Sequence, residues 1–147
     1  MTRRKRMETV KVVMDDKAEQ AAREMASVRQ QHDTEAQRLE QLQVFRDEYR
    51  RQFFRAQGAS FSAFRLRDFN AFIARLDNAI AQQRQQLERL ERQLTSSRSR
   101  WQQEQTRADA MDRVVDGYRA AERRQADRAE QRQHDELNNR RYFRPPR

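Results

Sequence analysis

Two histidines, a few adjacent carboxylates and two glycines are the residues of this chain whose types suit catalysis or metal binding, and their spacing suits neither. His32 and His134 lie in distant segments, each without a second ligand at the separation a zinc site needs. Asp15 with Asp16, Asp47 with Glu48, and Asp135 with Glu136 read as solvated helix charge, because acid–base work requires a concave pocket to hold substrate. Gly58 and Gly117 are isolated, so there is no glycine-rich phosphate loop. No catalytic residue, metal or cofactor is expected, and the chain reads as a non-enzyme. What remains is the chemistry of recognition, carried by arginines and phenylalanines.

The 147 residues carry a net charge of +9, and summing by segment places +4 on residues 1–11, −1 on 12–61, +2 on 62–118 and +4 on 119–147. The excess is terminal. Arg3, Arg4, Lys5, Arg6 and Lys11 at one end, with Arg119, Arg123, Arg124 and Arg128 near the other, form a basic surface suited to an acidic partner. Interspersed arginines in the middle need no further role than solvating a helix.

Seven of the eight phenylalanines, Phe45, Phe53, Phe54, Phe61, Phe64, Phe69 and Phe72, fall within 28 residues, with Tyr49 among them. To place them, the elements must be known. With 37% charged residues, 35% apolar residues, two prolines, two glycines and no cysteine, the chain lacks both the turns of a sheet protein and the apolar content of an ordinary globular core. It also lacks disulfides, which suits a reducing compartment. Glu8, Lys11, Asp15 and Asp16 interrupt any apolar run behind the basic N-terminus, so a signal peptide is not expected. No window approaches the ~20 apolar residues of a membrane span. The expectation is a soluble, cytoplasmic protein.

Helical periodicity is continuous. Met14, Ala18, Ala21, Met25, Val28, His32, Glu35, Leu39, Leu42, Arg46, Tyr49, Phe53 and Ala56 alternate by four and three, which is a coiled-coil seam. A second seam runs from Leu66 and Phe69 through Ile73, Leu76, Ile80, Gln83, Leu87, Leu90, Leu94, Ser97, Trp101, Glu104, Ala108, Met111 and Val115 to Tyr118 without a stutter. Between them, Gly58 can end one helix and Ser60 or Ser62 can cap the next. The fold class predicted is all-α: a long antiparallel two-helix coiled-coil hairpin with a protruding C-terminal helix. The expected bounds are helix one over about 8–57, a turn at about 58–62, helix two over about 63–140 and a flexible basic tail at 141–147, all in a single coiled-coil domain. Facing seam residues should have numbers adding to about 122. Trp101 then meets Ala21, Met14 meets Ala108 and Leu42 meets Ile80, while Glu35, His32 and Arg46 face Leu87, Leu90 and Leu76. Helix two would be about 110 Å long and helix one about 75 Å, leaving an unpaired polar extension that Pro145 and Pro146 stop.

In this register Phe45 and Phe72 occupy g positions, one residue before an a position. The g edges of an antiparallel pair share a side, so both rings should flank one exposed apolar groove. Arg38 and Ala79 take g positions as well, and Leu42, Tyr49, Leu76 and Gln83 supply the neighbouring seam edge. Contiguous exposed aromatics beside an arginine suit protein docking.

Ala21-Ala22-Arg23, the segment LEQLQVFRDEYRRQF at 39–53, Gly58, the segment FNAFIARLDNAIAQQ at 69–83, Trp101 and Asp135-Glu136-Leu137 together resemble the flagellar type III export protein family FliJ. Phe45 and Phe69 stand where tyrosine is common in that family. The resemblance implies a small cytoplasmic coiled coil, similar to the central stalk of rotary ATPases and peripheral at the cytoplasmic face of the inner membrane at the flagellar base. It implies a terminal end that inserts into the hexamer of the export ATPase FliI, which works with FliH, and promotes its activity. It also implies contact with the export gate protein FlhA and escort of export chaperones. Carried over, the gate surface falls on Arg38, Leu42, Phe45, Tyr49, Phe72, Leu76, Ala79 and Gln83, and the basic tip becomes the ATPase contact. The rival readings are the equivalent stalk of a virulence type III system and a basic coiled coil that binds nucleic acid through its arginines.

Overall fold

The computed structural model describes residues 2–57 and 62–142. These form α1, Arg3–Gln57, and α2, Ala63–Tyr142, which pack against each other as an antiparallel hairpin; the described residues contain no strand. Alanine, glutamine, arginine and glutamate make up more than half of each helix, and all are strong helix formers. Each start is capped. The Lys5 backbone N–H donates to Thr2 Oγ1 at 3.3 Å and the Arg6 N–H to the Thr2 carbonyl at 3.2 Å. At α2 the Arg65 N–H donates to Ser62 Oγ at 3.2 Å and the Leu66 N–H to the Ser62 carbonyl at 3.1 Å. Of the two serines considered for this cap, Ser62 fills the role. Gly58, Ser60, Phe61, Pro145 and Pro146 lie outside the described residues, as does the expected tail from residue 143 onward, whereas Arg141 and Tyr142 are helical.

The chain divides into two compact units, Met1–Glu19 with Gln102–Arg147, and Gln20–Trp101. In the second, the buried apolar residues are Ala21, Val28, Phe69, Ile73, Leu76, Ile80 and Leu90; in the first they are Ala18, Ala108 and Val115. All ten occupy seam positions read from the sequence. Ala56 and Leu66, the seam members nearest the turn, are exposed instead. Cross-helix contacts follow the expected register in each unit. Phe53 stacks on Phe69, Arg46 reaches Asp77, His32 approaches Glu91 and Glu24 meets Arg100 in one; Lys11 meets Asp112 in the other. The helix also begins earlier than the periodicity from Met14 onward indicates. Arg4, Met7 and Lys11 prolong the same alternation and are half-buried, the stems of Arg4 and Lys11 covering apolar surface while their charged heads reach outward.

Polar seam residues find polar partners rather than resting on leucine alone. Gln83 Nε2 donates to the Glu35 backbone carbonyl at 2.9 Å and also to the Glu35 carboxylate, which Arg38 Nη1 approaches at 2.9 Å. Arg46 Nη1 donates to Asp77 Oδ1 at 3.1 Å, a bond that, with the attraction of Asp47 and Asp77, raises the guanidinium pKa. Two buried polar atoms are left without a hydrogen-bond partner: Arg46 Nε, which lies 3.5 Å from Asp47 Oδ1, and Glu104 Oε2. The other oxygen of Glu104, Oε1, lies 3.4 Å from Arg107 Nη1. Leaving a buried acceptor unsatisfied costs about 1–3 kcal/mol. Glu104→Leu is therefore expected to stabilise the hairpin by about that amount, read as a higher urea midpoint. Glu35→Leu, which orphans Gln83, should not do so, and equal effects of the two changes would refute this assignment.

Candidate functional site

In the Gln20–Trp101 unit, Phe45, Tyr49, Phe53, Phe54, Phe69 and Phe72 form one connected set of rings. Phe69 stacks on Phe53 at 4.0 Å between ring centroids and on Tyr49 at 5.7 Å, and Phe54 meets it edge-on at 5.7 Å. Tyr49 in turn lies 4.5 Å from Phe72, and Phe45 lies 6.2 Å from Phe72 and 6.3 Å from Tyr49. Phe69, Ile73 and Leu76 are the buried centre, with Tyr49, Phe53 and Phe72 packed against it.

Of the eight groove residues read from the sequence, Phe45, Tyr49 and Phe72 are thus in mutual contact on one flank, crossing from α1 to α2. Their exposure is graded. Phe45 is 49% exposed, Phe72 and Tyr49 are half-buried, and Leu76 belongs to the core. Leu42 and Ala79 are half-buried. Arg38 is exposed but directed at Glu35, and Gln83 is held by the same residue. The free apolar surface is therefore concentrated on Phe45, with the other rings setting its position from below. Val44, exposed beside Phe45, adds to it: both line a shallow concavity on the outer side of α1 with Gln41 and Glu48. Sequence reasoning omitted Val44 because it lies off the seam and off the g edge, although an isolated valine on an otherwise polar face was the available signal.

The basic residues of the other unit fall into two groups. Arg4 Nε lies 2.9 Å from Glu122 Oε2, Arg119 Nη2 lies 3.0 Å from Glu8 Oε1, and Lys11 Nζ lies 3.1 Å from Asp112 Oδ1. The hydrogen bond to Asp112, reinforced by that carboxylate's charge, raises the Lys11 pKa. These three cations are spent on joining α1 to α2. Arg3, Lys5, Arg6, Arg123, Arg124 and Arg128 are exposed and form no ion pair among the described residues. From Glu122 to Tyr142 every residue of α2 is exposed. This stretch is helical and has no packing face of its own.

Among the described residues there is no cluster of metal-ligating side chains, and no helix is long and apolar enough to cross a membrane. One surface exposes aromatic and aliphatic carbon, the other cations along a helix without a packing partner. The family model described as "Flagellar FliJ protein" matches residues 3–147. No curated protein and no solved structure matches the chain.

Proposed function

The chain belongs to the FliJ family and is a component of flagellar type III export, and from that premise we propose that it acts as a non-enzymatic stalk which binds the export ATPase hexamer and promotes its activity. The observation that supports this most directly is the run of α2 past Glu122, helical and exposed on all sides, with Arg123, Arg124 and Arg128 unpaired. A helix fixed in advance loses little conformational freedom on entering a pore, and its unpaired cations attract an acidic lining over long range. Arg4, Lys11 and Arg119 have a different part in this reading: through Glu122, Asp112 and Glu8 they hold α1 against the base of the projecting helix. The reading is tested by pull-down with the cognate ATPase and by its hydrolysis rate with and without this chain. No capture and no rate change would reject it. The same proposal puts the chain at the cytoplasmic face of the membrane, with export chaperones among its partners.

The aromatic flank is, in the same proposal, the contact with the export gate protein. Phe45 carries most of its exposed surface, so Phe45→Ala is expected to weaken gate binding about tenfold or more while shifting the melting transition little. Phe72→Ala should weaken both, because that ring packs against the core cluster. Surface plasmon resonance against the gate's cytoplasmic domain, with thermal melts alongside, separates the two. Undiminished binding by the Phe45 variant would remove this surface from the proposal.

A further inference from the structure

The two flanks of the unit formed by Met1–Glu19 and Gln102–Arg147 differ in kind. On the flank made by heptad positions b and e stand Glu8, Asp15 and Glu19 from α1 and Asp109, Asp112 and Asp116 from α2. The ion pairs of Glu8 with Arg119 and of Asp112 with Lys11 draw on this side. The flank made by positions c and g, from Arg3 to Lys17 on α1 and from Gln103 to Arg128 on α2, contains no carboxylate at all. Its centre is apolar: Val10, Val13 and Val114 are 37%, 48% and 43% exposed, with Gly117 and Ala121 continuing the row along α2. Its border is cationic, with Arg3, Arg6, Lys17, Arg107 and Arg124.

Val10 and Val114 both precede a seam a position, Lys11 and Val115, which makes them the g residues of facing helices. Two other facing g pairs are satisfied within the hairpin, Glu24 with Arg100 by charge at 3.2 Å and Phe45 with Phe72 by ring contact at 6.2 Å. Two exposed valines in that setting bury little against each other and gain nothing from solvent. Gly117 points the same way. A Cβ there would meet no atom within 4 Å, so hairpin packing does not require glycine, although glycine weakens a helix interior. The space over its backbone is open to the close approach of another helix.

We propose that the flank carrying Val10, Val13 and Val114 docks an acidic amphipathic helix of a partner protein, whose apolar seam covers the valines and whose flanking carboxylates meet the cationic border. Charge selects this occupant. A second copy presenting the same flank would bring cations against cations. The apolar centre holds valine, alanine and glycine with no aromatic or leucine to enter a bilayer, and the whole flank, from Arg3 to Lys17, runs about 20 Å along α1, which suits about four turns of helix.

The test uses the full chain and a fluorescein-labelled four-heptad synthetic peptide with valine and alanine at its seam positions and glutamate at the flanking ones. Fluorescence anisotropy at physiological salt should show binding, and a peptide with lysine replacing every glutamate should show none. Val114→Glu and Gly117→Leu are each expected to weaken binding about tenfold or more, the second without any change of charge. Val12→Glu, on the b and e flank and 59% exposed in the native chain, carries the same charge change and should alter affinity less than about twofold. Circular dichroism verifies each fold, with Val13→Glu as the replacement if Val114→Glu loses helicity. Absence of binding, equal binding of the lysine peptide, or equal effects of Val12→Glu and Val114→Glu would overturn the proposal. So would capture of phosphatidylcholine–phosphatidylglycerol vesicles with the same Val114 dependence, which assigns the face to lipid. Self-association in sedimentation equilibrium that Val114→Glu abolishes would assign it to a second copy. Because the readout is peptide binding, a failure here leaves the ATPase reading untouched, and the converse holds.

Discussion

Phe69→Ala is expected to destabilise the hairpin by about 3–5 kcal/mol, seen as a lower urea midpoint and melting temperature by circular dichroism. Phe69 is 6% exposed and joins rings from both sides of the aromatic set: Tyr49 and Phe53 stack on it, Phe54 meets it edge-on, and Ile73 and Leu76 complete its surroundings. Truncation removes the transfer energy of the ring, opens a cavity that two helices cannot easily close, and deletes stacking worth about 0.5–1.5 kcal/mol for each pair. Against a total stability of roughly 5–15 kcal/mol for a domain, that is a large fraction. Phe64→Ala supplies the comparison. Phe64 is 74% exposed, and its loss should change stability by less than about 0.5 kcal/mol. If the two alanine variants melt alike, Phe69 is not the keystone of this core.

The contrast between Phe69 and Phe64 was half legible in the sequence. Heptad position separates a ring on the seam from one off it, and the ten buried apolar residues all fall where the alternation of four and three places them. Periodicity works here because a two-helix coiled coil has a single buried line, so that burial follows from angle alone. Phe72 shows where this stops. Its g position predicts an exposed groove wall, but neighbouring rings on both helices are large enough to reach it, and it ends half-buried with Tyr49 at 4.5 Å. The size of neighbours, unlike the heptad angle, acts through three dimensions.

Charged residues were harder to read for a similar reason. Composition counts Arg4, Lys11 and Arg119 among the terminal cations, yet the structure commits them to Glu122, Asp112 and Glu8. Which cation is spent depends on the offset between helices at that point and on side-chain reach, neither of which the charge sum contains. The extension of the seam to Arg4 and Met7 was open to a sequence reading, since the spacing continues unbroken; basic residues at seam positions concealed it. The sidedness of the same unit, with valines on one flank and carboxylates on the other, was equally present in the heptad letters, and gains weight only once exposure shows that nothing in the hairpin covers Val10, Val13 and Val114.

This division of the cations decides which substitutions probe the proposed ATPase contact cleanly. Arg123, Arg124 and Arg128 changed together to glutamate should reduce stimulation of the hexamer's hydrolysis about tenfold or more at low salt, because the projecting helix changes from attracting to repelling an acidic pore. Helicity and melting temperature should hold, since the three side chains are exposed and make no ion pair among the described residues. Arg119 does not belong in that set. Arg119→Glu would set a carboxylate against Glu8, where the native guanidinium lies at 3.0 Å, and would cost up to about 1 kcal/mol in the hairpin itself. A loss of stimulation from that variant would confuse a weakened base with a weakened contact. Raising salt should bring the native chain toward the triple variant, as screening shortens the range of the attraction. Full stimulation by the triple variant at low salt would separate the ATPase contact from these arginines, and with it the electrostatic account of how the helix enters the ring.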